Sequence, residues 1–392
     1  MNKTFQLDLK RVPDELILIF DILKNSKNEC EITKEQIKNT DWEKFLKLVI
    51  HHRVYPLILN STNPENNLIP SHVVQTISQI NKRNTFQMLY LCSEMEQVNN
   101  NCIENHIRVL FLKGPVLAAE LYGDVSLRTS IDLDVLISID DLEEMEKLLV
   151  KSGYVKDDYI ETVLSDWKWR HHHFTFFHPE KGIKLEVHWR LNPGPGKEPK
   201  FDELWERKRI SSLTTSPLYF LGAEDLFLFL VSHGARHGWS RLRWLIDIDR
   251  IVRQNLDWSK LIMLLKKYHY LQIGGQALVL TSQLLKTPIK KEIEILIKGF
   301  RPFQLAQGAM FYFEKMVNLH TEPVPKDIAS YHKRHLFSLM SIQQKLFFIV
   351  SFLYPYPADA ETLPLPKFFH FLYFPLRPFL WAWRKTRNHA LS

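Results

Sequence analysis

Between Ile107 and Trp189 the hydrophobic pattern changes period, and that change restricts the possible fold more than any other feature of the chain. Upstream, Glu15–Lys24, Asp41–Val54 and Ser71–Asn105 carry apolar residues three and four apart, as amphipathic helices do. Pro56 and the polar stretch Asn60–Asn67 read as loops between them. Val109-Leu110-Phe111-Leu112 is different: a short apolar run closed by Lys113-Gly114, which predicts a buried strand. Pro115 suits the first turn of a helix over Val116–Tyr122, with Gly123 as its terminator. A second strand is expected over Leu133–Ile139. Asp140-Asp141 then places negative charge at the start of a helix over Leu142–Ser152. His173–His178 and Ile183–Trp189 read as a hairpin joined through Pro179–Gly182. Strand, helix, strand, helix, strand, strand is an α/β or α+β unit of modest size.

Asn192-Pro193-Gly194-Pro195-Gly196 is the clearest linker, and beyond it the pattern is helical again over Ala223–His237, Arg241–Gln254, Trp258–Tyr268 and Ile273–Leu285. From about Pro302, apolar helices alternate with proline-rich loops. The expected organisation is an α+β protein whose small mixed β-sheet core is flanked by helical regions at both ends. Its divisions are an N-terminal helical region (1–105), the α/β core (106–191), a helical domain completing the cleft (192–300) and a C-terminal helical and aromatic region (301–392).

With 45% hydrophobic and 24% charged residues, long disordered stretches are not expected. The net charge of +7 favours polyanionic ligands: nucleoside triphosphates, nucleic acid or an anionic membrane surface. No Lys/Arg block is dense enough to give a strong nucleic-acid signature. Cys30, Cys92 and Cys102 have no metal-like spacing, and the start of the chain lacks the apolar core of a signal peptide. No apolar run approaches the roughly 18 residues of a membrane span. A cytoplasmic location is the expectation.

Asp132 and Asp134 lie two apart at the start of a strand, so their side chains share a face. Carboxylates held side by side repel unless a cation lies between them. Such oxygen ligands suit Mg²⁺ or Mn²⁺, and two ions roughly 3.5–4 Å apart serve phosphoryl and nucleotidyl transfer. Glu186, among apolar residues in Lys184–Trp189, is the candidate third carboxylate. An Asp-x-Asp pair alone is commonly a turn or a solvated strand edge. Lys113-Gly114 before it, Arg128 and Ser130 just upstream, and Glu186 after it change that weighting.

The histidines are less decisive. His171-His172-His173 resembles a metal tract, but consecutive strand residues alternate faces, so the expectation is strand-edge residues with one or two near the cleft. His188 shares a strand face with Glu186, and structural and ligand roles are both open. His233 and His237 share a helix face, but they lack the His-Glu-x-x-His arrangement and a nearby cysteine, so zinc is not the reading adopted. With Asp247 on the next helix they are candidates for a wall that positions acceptor or nucleotide, or for a polar seam between packed helices. The stretch Lys367–Lys385 mixes aromatic and basic residues. It either covers a core or makes peripheral membrane contact, and Pro375 and Pro378 are expected to interrupt any long helix there.

The segments Phe111-Leu112-Lys113-Gly114-Pro115, Leu121-Tyr122-Gly123, Leu127-Arg128-Thr129-Ser130 and Ile131–Ile137 resemble the DNA polymerase beta-like nucleotidyltransferase superfamily. More narrowly, together with Glu186-Val187-His188-Trp189, His233, His237 and Trp244–Asp247, they are similar to a bacterial family labelled uncharacterised nucleotidyltransferase. The resemblance spans roughly Trp42–Gln254. It implies Asp132, Asp134 and Glu186 as ligands of two Mg²⁺ or Mn²⁺ ions, a nucleoside triphosphate donor with ATP expected, and NMP transfer to an unidentified hydroxyl-bearing acceptor. One departure stands out. Most of the superfamily has Gly-Ser shortly before the Asp pair, whereas here Lys113-Gly114-Pro115 and a longer spacer are closer to abortive-infection toxins of the Lys-Gly-Gly type. The reading is that the Lys113-Gly114 turn and the helix N-terminus behind it receive phosphate. Arg128 either reaches the same phosphates or is a structural partner of Asp124 or Asp132. Alternatives are a nucleotide-binding protein without turnover, a membrane-surface scaffold, and transfer of the γ-phosphate.

Overall fold

The computed structural model describes residues 5–24, 32–61, 68–158, 160, 163–319, 321 and 323–390. Cys30 and the stretch 62–67 of the expected Asn60–Asn67 loop lie outside them; Cys92 and Cys102 are free thiols.

A seven-stranded mixed sheet forms the centre: β1 (Leu110–Phe111), β2 (Asp132–Leu136), β3 (Val155–Lys156), β4 (His173–His178), β5 (Ile183–His188), β6 (Arg209–Ser211) and β7 (Leu218–Phe220). Their spatial order is β3-β4-β5-β2-β1-β7-β6. β2 and β5 run parallel, as do β1 and β7, and the remaining neighbours are antiparallel. The expected α+β architecture with helical regions at both ends is what the chain forms.

Two strands extend the expected core. β6 and β7 lie beyond the Asn192–Gly196 linker, where only helices were read, so the sheet continues across that segment. Each has three residues, too few for an alternating pattern to register. Their one signal is the Ser212–Pro217 turn cluster between Arg209-Ile210-Ser211 and Leu218-Tyr219-Phe220. Pro56, read as a loop residue, sits in the first turn of the helix Tyr55–Ser61, where its missing N–H has no intrahelical partner to lose.

Strand alternation divides the protein into two cores. Leu133, Val135 and Ile137 face one way, with Phe111, Leu185 and Val187, and pack against Met88, Leu91 and Met95 of the long helix Ser71–Glu104. Leu110, Leu112 and Leu136 face the other way and join the core built by the N-terminal helices and by Ala223–Arg236, Leu242–Val252 and Leu271–Leu285. Asp132 and Asp134 share the parity of Leu136, and Glu186 and His188 are on the same side of β5. The polar members of both strands therefore emerge where the sheet meets the second helical group.

In the C-terminal region Pro375 falls in the first turn of the helix Tyr373–Ala390 and Pro378 lies inside it, so the prolines do not break this element as expected. Of the aromatic residues in Lys367–Lys385 only Tyr373 is buried. Phe368, Phe369, Phe371, Phe374, Phe379, Trp381 and Trp383 are exposed, which corrects the core-covering alternative. Among the described residues no helix is long and apolar enough to cross a membrane.

Candidate functional site

The three carboxylates are brought together by strand register. In the parallel ladder Asp132 pairs with Lys184 and Asp134 with Glu186. Like charges 4 Å apart repel by roughly 4 kcal/mol at an effective dielectric constant of 20, so a cluster of this kind needs cations. The side chains of the protein supply them. Lys113 Nζ lies 2.8 Å from Asp134 Oδ1, and Lys184 Nζ lies 2.6 Å from Glu186 Oε1 and 3.5 Å from Asp132 Oδ2. His188 Nε2 is 3.3 Å from Asp134 Oδ1 and 3.4 Å from Glu186 Oε2.

These neighbours set the protonation of the cluster. Burial, then Asp134, pushes the Asp132 carboxyl above its ordinary range. Burial acts the same way on Asp134, but Lys113 and the His188 hydrogen bond outweigh it and hold Asp134 below that range. Glu186 is likewise held low against its burial, by His188 first and then His173. Burial would lower His188, yet its hydrogen bonds to Asp134 and Glu186 raise it. His173 is lowered to about 4 by burial and by His188. Ser130 Oγ donates to the backbone oxygen of Asp132 at 3.2 Å and fixes the turn into β2.

The cluster opens onto a cavity of about 500 Å³. Its floor is Asp132, Asp134, Glu186 and His188, with Lys113, Ser130 and Lys184 at the edge. Arg53, Arg236, Arg241 and Arg243 supply the opposite wall, with His233, His237 and Trp244. Burial, then Arg128 and Arg53, lowers Arg243 to about 9. The Nε atoms of Arg236 and Arg243 are buried without a hydrogen-bond partner among the described residues. Buried guanidinium groups that lack a carboxylate suit a polyanion.

The end of the helix Ala223–Arg236 and the turn that follows it are packed very tightly. A Cβ on Gly234 would stand 2.2 Å from the Trp239 ring, and one on Gly238, at φ +62°, 2.3 Å from Tyr312. Only glycine fits either position. The His233 and His237 rings lie with centroids 4.6 Å apart at a tilt of 48°, both against Trp244. Burial, then Lys113, lowers His233 well below its ordinary value.

Other expected site residues sit elsewhere. Gly114 caps the helix Pro115–Tyr122 at φ +76° and is not part of the cavity lining. Asp247 is fully buried behind the wall, accepting from Arg128 Nε and Nη2 at 2.9 Å each and from the Tyr122 hydroxyl at 2.7 Å. Arg128 borders the cavity, but its carboxylate partner is Asp247 rather than Asp124 or Asp132. His172 and His173 both reach the cluster, because His172 precedes β4 and escapes strand alternation. His171 lies in the neighbouring groove. Lys184 was missed although it shares the strand face of Glu186. Arg53, Arg236, Arg241 and Arg243 come from segments whose convergence no local pattern announces.

Among the described residues, two groups of His, Cys, Asp or Glu have ligand atoms within 4.8 Å of one another: Asp134, Glu186 and His188, and His172, His173 and His188. The donors suit a divalent ion, and Asp134 Oδ2 is buried with no hydrogen-bond partner among the described residues.

Clustered carboxylates on a mixed sheet thus share a cavity with arginine and histidine side chains. The chain belongs to the family described as "Uncharacterised nucleotidyltransferase", which residues 38–286 match. No functionally curated protein matches it. Among solved structures, an antigenic nucleotidyltransferase-like protein from Paracoccidioides brasiliensis is similar over 53% of this chain and 97% of that one, with 14% identity and a TM-score of 0.30. A likeness that distant carries no argument about the site.

Proposed function

We propose that this protein transfers a nucleoside monophosphate from a nucleoside triphosphate, ATP first among the donors, to a hydroxyl-bearing acceptor in the cytoplasm. One observation carries the reading: Asp134 and Glu186 stand in register on adjacent parallel strands beside Asp132, in a cavity also lined by Arg53, Arg236, Arg241 and Arg243, none of which pairs with a carboxylate among the described residues. Asp132, Asp134 and Glu186 are the residues to hold two Mg²⁺ or Mn²⁺ ions, whose charge offsets that of carboxylates and triphosphate. Lys113, paired with Asp134 here, would be released by an ion bound to that carboxylate and could then contact the phosphates together with Arg236 and Arg243. Glu186 orients the acceptor hydroxyl, whose proton passes to water. The acceptor oxygen then bonds to the α-phosphorus, the bond from that phosphorus to the β-phosphate oxygen breaks, and pyrophosphate leaves. His233 and His237 position the acceptor or the base.

Incubation with α- or γ-labelled ATP, divalent ion and a cell lysate tests the reading. Label transferred from the α position supports it. Label transferred only from the γ position indicates a kinase. Nucleotide bound with no transfer indicates a binding protein without turnover.

The exposed C-terminal aromatics support a second, separate proposal, that this region meets an anionic lipid surface. Residues 363–390 contain no Asp or Glu, whereas Lys367, Lys385 and Arg387 stand among exposed Phe368, Phe379, Trp381 and Trp383. Aromatic rings with cations and no carboxylates suit the headgroup layer.

A further inference from the structure

Among the described residues Lys113, Lys184 and His188 lie within 3.5 Å of the carboxylates, and they differ in mobility. Lys113 and Lys184 reach them on flexible stems and can withdraw when another cation arrives. His188 cannot withdraw. Its side chain is 4% exposed, it sits on a central strand, and its ring is flanked by His172 and His173 at centroid distances of 5.2 and 4.9 Å. Nε2 points between Asp134 and Glu186, and Nδ1 is buried with no hydrogen-bond partner among the described residues.

A divalent ion held by Asp134 and Glu186 must therefore accommodate Nε2. Neighbouring ligands on an octahedral ion with bonds of about 2.1 Å stand about 3.0 Å apart. The nitrogen-to-oxygen separations here, 3.3 and 3.4 Å, need to close by only a few tenths of an ångström. Imidazole nitrogen changes ion preference: Mg²⁺ favours oxygen alone, whereas first-row transition ions accept nitrogen with it.

We infer that His188 is a nitrogen ligand which, with Asp134 and Glu186, makes one metal position a mixed nitrogen–oxygen site selective for first-row transition ions over Mg²⁺, with Mn²⁺ as their paramagnetic probe. The inference deepens the proposed transferase site, but ion binding is read without any transfer reaction. On ion binding the Nε2 proton that bonds Asp134 and Glu186 in the metal-free protein is released to solvent, Nε2 donates the freed lone pair, and the neutral ring keeps its proton on Nδ1.

The test titrates Mn²⁺ into the metal-free full-length protein. Pulsed electron paramagnetic resonance reads ¹⁴N coupling to the ion, and calorimetry compares Mn²⁺ with Mg²⁺. The expected result is imidazole ¹⁴N coupling, with Mn²⁺ bound about tenfold or more tightly than Mg²⁺. His188→Gln loses the coupling and binds Mn²⁺ about tenfold or more weakly, while His172→Asn and His173→Asn keep the coupling. Mn²⁺ surrounded by oxygen alone overturns the assignment, as does Mg²⁺ bound equally well. Coupling that survives His188→Gln, or vanishes in His172→Asn or His173→Asn, overturns it by placing the nitrogen elsewhere. The wild-type spectrum and these two neighbours decide the matter even where His188→Gln does not fold. Coupling present without NMP transfer on any acceptor removes the transferase reading and leaves this one standing.

Discussion

Lys113 Nζ lies 2.8 Å from Oδ1 of Asp134, an ion pair in which the aspartate side chain is 1% exposed. The lysine occupies the position of a counter-cation and closes the segment that follows β1. Lys113→Met leaves the buried carboxylate short of charge and is expected to destabilise the metal-free protein by about 3 kcal/mol. Thermal melts with and without Mn²⁺ check this. The deficit narrows when the ion is added, and a deficit unchanged by the ion contradicts the exchange of lysine for metal.

Arg128 and Asp247 form a fully buried bidentate pair that fastens the segment before β2 to the helix Leu242–Val252. Either Asp247→Leu or Arg128→Met alone strands a buried charge and costs roughly 3–5 kcal/mol. The double variant is expected to recover much of that loss in denaturant melts. Additive losses would show that Arg128 acts independently of Asp247, as a direct phosphate contact would.

Burial and then His332 lower His335 from 6.5 to about 4, and burial with His51 and Arg241 holds His52 well below its ordinary value. Their folded pKa values lie below the unfolded ones, so between the two the unfolded chain binds more protons. The stability they confer is present above about pH 6.5 and is lost as the pH falls towards 4, with His335 contributing at most roughly 3 kcal/mol. The melting temperature should fall across that window, with a shallower slope in His335→Phe. A slope identical to wild type would contradict the role given to His335.

Vesicle flotation checks the C-terminal proposal. The full chain should float with vesicles of anionic lipid, less with neutral ones, and lose binding in a Trp381→Ser/Trp383→Ser variant. Equal recovery with neutral and anionic vesicles, or none with either, contradicts it. Asp359 ties down Arg377 and Arg384, at 2.5 and 2.6 Å, so these two contribute less than Lys367, Lys385 and Arg387.

Local chemistry made much of the core readable. Lys113-Gly114 had to end a strand, because φ +76° at Gly114 suits glycine alone. The hairpin of β4 and β5 was signalled by its apolar alternation around Pro179–Gly182. The parity of Asp132 with Asp134, and of Glu186 with His188, follows from strand geometry, but their meeting depends on the β2–β5 register, which a sequence period does not encode. The Arg128–Asp247 pair joins residues 119 positions apart, and no local pattern marks it. The arginine wall was hidden for the same reason, since Arg53 and Arg243 come from separate helical regions.

The most direct measurement follows α-labelled ATP with Mg²⁺ or Mn²⁺ and lysate, comparing wild type with the Asp132→Ala/Asp134→Ala variant and confirming its fold by circular dichroism. The account predicts that wild type transfers α-label and releases pyrophosphate, while the folded double variant does neither. Transfer that persists in that variant would contradict the assignment of the site.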